Sequence, residues 1–74
     1  MNINEKERNF NADILLKYFE LERNLIQDTE KSIEMKSAMI WGAIYILLQT
    51  NVIDENLSKK FYGVFMLNIM GLRK

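Results

Sequence analysis

A chain of 74 residues with no Cys, no His and no Pro has room for one domain, residues 1–74, and lacks the usual staples of so small a core: disulfides, thiolate metal sites and histidine-bound metals are all excluded. Ten Lys plus Arg balance ten Asp plus Glu, so no net positive field draws the chain to nucleic acid. Catalysis would fall to carboxylates, Lys, Tyr or Ser, and the seven Glu and three Asp lie mostly on one polar helix face or at caps, where solvation and the helix dipole account for them; no enzyme activity and no cofactor are expected.

The first predicted helix opens at Asn4, an N-cap type, with Glu7 placed three residues on as in a capping box, and runs to about residue 27. At ~100° per residue, Phe10, Ile14, Tyr18, Leu21 and Leu25 share one stripe, and Leu15, Phe19 and Ile26 widen it. Asp13, Lys17, Glu20, Arg23 and Asn24 hold the other side, where Leu16 is the one apolar exception. A second helix is expected over about 30–50, capped by Asp28 or Thr29; with no Gly or Pro at this junction, one long helix through residue 50 is the alternative. Asn51 then ends that helix, Asp54 caps a third over about 55–70, and Gly71 terminates it. The fold class is all-α: a three-helix bundle or long helical hairpin.

The most informative feature is apolar surplus. Residues 37–53 form a run of 17 without a charge, and residues 61–72 a second run of 12. Neither suits a bilayer, because 17 helical residues reach only about 25 Å against roughly 30 Å of hydrocarbon, and Asn68 interrupts the second run. A core accounts for one side of each helix: Ile33, Ile40, Ile44, Leu47 and Leu48 on the second, with Trp41 at the edge, and Leu57, Phe61, Val64, Phe65, Ile69 and Leu72 on the third. The remainder has no place in a monomer. Met35, Met39, Ala43 and Ile46 line the back of the second helix, and Met66, Leu67 and Met70 gather on the third beside Lys59 and Lys60.

Those residues, with Trp41 and Tyr45 as aromatic anchors, are the expected partner or dimer interface. A homodimer would complete the bundle, since small helical proteins lack buried area and twofold dimers are the commonest oligomers. The expected function is a small non-enzymatic interaction module, a regulator, inhibitor or adaptor; the alternatives are a membrane-active protein of phage or toxin type and a purely structural homo-oligomer subunit. Nucleotide binding lacks a Gly-rich loop ahead of any helix, and the third helix carries too few polar residues near its start to read DNA. Asn68 is expected to bond a neighbouring helix or fix its register, and Gly42 and Gly63 to permit close helix approach. The opening residues, Met1 to Glu7, lack the cationic start and apolar core of a secretory signal, so a cytoplasmic location is expected. A residue usage rich in Asn, Ile and Lys matches an AT-rich bacterial or phage genome.

Overall fold

The computed structural model describes the backbone of residues 5–71 and the side chains of residues 11–71. Three helices follow one another, α1 (Glu5–Gln27), α2 (Ile33–Gln49) and α3 (Glu55–Ile69), and pack pairwise around one core. This is the expected all-α three-helix bundle. The Asn4 cap, the side chains of Glu7 and Phe10, and Leu72 lie outside the described residues.

The break between α1 and α2 is built by a polar corner. The Asp28 carboxylate accepts hydrogen bonds from the backbone N–H of Glu30 (2.7 Å) and of Lys31 (2.9 Å), and from the Lys31 ammonium (2.8 Å). A short Asp side chain that competes this well for local donors diverts the backbone from helix. The long continuous helix is therefore not formed, and α2 starts later than expected. Its N-cap is Ser32, in extended conformation, whose Oγ accepts from the Met35 N–H at 3.1 Å; Asp28 and Thr29 cap nothing in α2.

The corner is fastened from the far side by Lys36. Although charged, it is only 8% exposed, and its ammonium donates to the Asp28 carbonyl at 2.6 Å. That carbonyl lies just past the negative end of α1, where a cation is favoured by the helix dipole. Ile33, expected in the core, is about half exposed at the first position of α2.

The second turn follows the sequence closely. Asn51 adopts a left-handed conformation (φ 61°), its N–H bonds the Leu48 carbonyl and the Val52 N–H bonds the Leu47 carbonyl, the two bonds of a Schellman motif; Thr50 is the C-cap one residue earlier. Asp54 then caps α3 through the Leu57 N–H at 2.8 Å, and Gly71 ends it with φ 70°.

The core contains Tyr18 and Leu25 of α1, Ile40, Ile44 and Leu47 of α2, Ile53 of the turn and Phe65 of α3, with Ile40, Ile44 and Phe65 wholly buried. Tyr18 stacks on Phe61 at 5.1 Å, and Phe19 meets Phe61 edge-on at 5.5 Å, so aromatic rings join α1 to α3. Two expected core members, Leu57 and Val64, are instead well exposed, while Ser58 is buried with its hydroxyl satisfied by the Glu55 carbonyl at 2.7 Å. The buried line of α3 runs through Ser58 and Phe65, with Phe61 and Ile69 half-buried beside it, rather than through Val64, which lies about 100° of helix rotation from Phe65. Burial pushes the Tyr18 hydroxyl pKa far up, with Glu22 at 3.4 Å adding to the effect, and burial likewise raises Glu22.

Two consequences are measurable. Hydrogen bonds from the Lys31 ammonium, then from the backbone N–H groups of Lys31 and Glu30, hold the Asp28 carboxyl well below the usual carboxylate range. A depressed folded pKa stabilises the fold fully above the unfolded value of about 4, and that contribution fades as pH falls below it. The melting temperature of the wild type should thus drop more steeply than that of Asp28→Asn on going from about pH 5 to about pH 3. In urea unfolding, Phe65→Ala should cost about 3–5 kcal/mol, a large part of the roughly 4–11 kcal/mol available to a domain of this length.

Candidate protein-interaction surface

Viewed down its axis, α2 divides into two sides. Inward lie Lys36, Ile40, Ile44 and Leu47, all buried. Outward, at ~100° per residue, the order is Trp41, Glu34, Tyr45, Ala38, Gln49, Gly42, Met35, Ile46 and Met39, and every one of these is exposed. Ile46 leads at 62% exposure, a level at odds with its apolar side chain. Helix α2 carries two charged residues, Glu34 and Lys36, and Lys36 is turned inward; the outward side is left with Glu34 alone. An ordinary solvated helix carries charge on that side.

The outward side has relief. Ala38 and Gly42 form a low floor between two ridges, Met35, Met39 and Ile46 on one flank and Trp41 with Tyr45 on the other. Trp41 is held in place by a T-shaped contact with Tyr62 of α3, ring centres 5.5 Å apart, which leaves half of the indole open to solvent. Fixed aromatic rings beside flexible Met side chains suit an adaptable protein contact.

The residues expected at an interface divide accordingly. Met35, Met39, Trp41, Tyr45 and Ile46 of α2 and Leu67 and Met70 of α3 are exposed. Ala43 and Met66 are not free: both are half-buried and pack against the core. Each lies on the flank of its helix next to the core rather than on its back, a difference that a two-sided reading of the helix does not resolve. Leu57 and Val64, expected in the core, add instead to the exposed apolar surface of α3. Asn68 bonds within its own helix, its amide donating to the Val64 carbonyl at 2.9 Å, and reaches no neighbouring helix.

Gly42 and Gly63 behave in the same unexpected way. A Cβ built at either position meets no atom within 4 Å, so neither glycine serves close packing inside the chain. Each nonetheless costs its helix about 1 kcal/mol relative to Ala.

Other chemistry is sparse. Among the described residues no helix is long and apolar enough to cross a membrane, and no three acidic side chains converge as metal ligands. An open cleft of about 640 Å³ at the α2–α3 turn is lined by Leu48, Val52, Ile53, Asp54 and Leu57 among others, but the Asp54 carboxylate already accepts the Leu57 N–H. Compared with protein-family models, curated proteins and solved structures, the chain matches none.

The division between packed and free methionines can be checked by unfolding at low protein concentration. Met66→Ala should cost roughly 1–2 kcal/mol through lost packing, whereas Met39→Ala should stay within about 0.5 kcal/mol of wild type.

Proposed function

We propose that the protein is a non-enzymatic interaction module, a small regulator, inhibitor or adaptor, which works by docking another polypeptide chain against the outward side of α2. The observation that carries this reading is that side itself: Met35, Met39, Ile46, Trp41 and Tyr45 stand exposed on one helix with Glu34 as their only charge. An exposed apolar patch of this kind in a small protein marks a protein or membrane contact.

A membrane surface is the competitor. Helices that lie in a bilayer interface carry Lys and Arg along the polar border of their apolar face. The only cation of α2 is Lys36, which is buried and bonded to Asp28, so the border is missing. In this reading the protein works in the cytoplasm, with a second copy or a different protein as the docked chain.

A tagged-bait pulldown in detergent-free buffer tests the proposal with three baits: wild type, Ile46→Lys, and Leu16→Lys, whose exposed Leu lies on α1. Partners held by wild type and by Leu16→Lys should be lost from Ile46→Lys. Equal capture by all three baits would remove α2 as the docking side. Recovery of the protein only in detergent, or its co-sedimentation with lipid vesicles, would replace the reading with the membrane one.

A further inference from the structure

We infer that the corner at residues 28–32 is a hinge through which α1 exchanges between two copies of the chain. With the hinge open, residues 5–49 form one helix, and α1 of each copy packs on α2 and α3 of the other. The inference is independent of the docking role proposed for the outward side of α2.

The junction is kept broken by side chains. Between α1 and α2 stand Asp28, Thr29, Glu30, Lys31 and Ser32, and none of them is the Gly or Pro that breaks a helix outright. The bonds that turn the chain are those of the Asp28 carboxylate to the Glu30 and Lys31 N–H groups and to the Lys31 ammonium, with Ser32 as cap and Lys36 on the Asp28 carbonyl. In a continuous helix the same backbone groups find other partners: the Glu30 and Lys31 N–H groups donate to the carbonyls of Ile26 and Gln27, and the Asp28 carbonyl accepts the Ser32 N–H. Opening the hinge therefore leaves no backbone group unpaired.

Register is the second argument. In a twofold exchange the α1 half of one long helix lies against the α2 half of the other, so the buried stripes of the two halves must face the same way. They do. Counted through the junction without a break at ~100° per residue, the buried residues Tyr18, Leu25, Lys36, Ile40, Ile44 and Leu47 fall within about 100° of one another. Ile14, Leu25, Lys36 and Leu47 recur every 11 residues, a period close to three helical turns. Thr29 and Ser32 lie on or beside the same sector, so the middle of the long helix stays polar where Lys36 stands.

Packing makes α1 the piece that moves. Helices α2 and α3 pack more extensively on each other than on α1, and the turn between them is stopped on both sides, by left-handed Asn51 and by the Asp54 cap. Helix α1 is held by Tyr18 and Phe19 on Phe61 and by Leu25 in the core, and α1 of a second copy supplies the same contacts. Exchange of an identical element is a low-cost route to a dimer for this reason. The balance between the closed bundle and the exchanged dimer is then set at the corner, by Asp28.

The chain lacks cysteine, so spin labels placed at Ala12→Cys and Gln49→Cys, both exposed positions, report the hinge. With the labelled chain diluted into unlabelled copies, the two labels should lie about 56 Å apart along a single helix and much closer in the bundle, where α1 folds back on α2. Wild type prepared at low concentration should give the short distance. Asp28→Ala removes the carboxylate and favours helix; it should give the long distance, a mass of twice 8.8 kDa in light scattering, and a gain in helical circular dichroism. Asp28→Gly removes the same side-chain bonds but still interrupts a helix, and should keep the short distance. A folded Asp28→Ala protein with the short distance overturns the hinge, whether it is a monomer or a dimer, and so does a long distance in Asp28→Gly. Should Asp28→Ala fail to fold, wild type refolded from urea decides: its long-distance fraction should grow as the protein concentration is raised to several hundred micromolar, and absence of that fraction at every concentration overturns the exchange.

Discussion

The fold depends on the corner at Asp28. Nothing in the local composition stops α1 from continuing into α2, since neither Gly nor Pro stands between Gln27 and Ile33. What stops it is one carboxylate that gathers three donors within 2.9 Å, together with a carbonyl that receives the Lys36 ammonium. With the chain turned here, Ile40, Ile44 and Leu47 face Tyr18 and Leu25 and a core exists. Lys36 shares the inward line of α2 with Ile40, Ile44 and Leu47, so the order of residues keeps the only cation of α2 off the outward side, and the bond to the Asp28 carbonyl satisfies its ammonium there.

A second constraint is that three helices of this length cannot cover one another's apolar surface. Buried hydrophobic residues among those described number seven, against twelve large hydrophobics left exposed. The excess is concentrated on α2 and α3, the helices from the two charge-free runs, whereas α1 alternates between a packed stripe and a charged one. The mid-helix glycines follow the same division. Both lie in α2 and α3, both weaken their helix, and neither has an atom near its missing Cβ. Their cost to the helix is therefore not offset by packing within the chain.

Much of the fold could be read in the sequence because its strongest signals are local. Asn51, Asp54 and Gly71 act where turn chemistry predicts, one left-handed Asn, one N-cap and one terminal Gly, and the helix period identifies Tyr18, Leu25, Ile40, Ile44, Leu47 and Phe65 as core. The misreadings share one cause. Asp28 looked like a helix cap but holds a loop, and the true cap, Ser32, was passed over because Asp28 and Thr29 offer cap-type residues first, ahead of the acidic Glu30. Nothing local in the sequence marks Lys36 as buried, and its partner is a carbonyl that comes within reach only once the chain has turned. At the candidate surface, a division into front and back sorts residues by 180°, whereas burial in a three-helix bundle depends on two neighbours set at an angle. Ala43 and Met66 fell on the wrong side of that division, as did Val64 in the opposite sense.

The two constraints together tie folding to association. A domain of this length has roughly 4–11 kcal/mol of stability, and α2 spends part of its helical propensity on Gly42. Any chain that covers the outward side of α2 binds only the folded form, because the ridges of Met39 and Ile46 and the floor of Ala38 and Gly42 share one side only in a formed helix. Such binding adds to stability by mass action. A partner docked there would therefore stabilise the fold through the surface that the three helices leave uncovered, and the persistence of the folded protein would report whether α2 is covered.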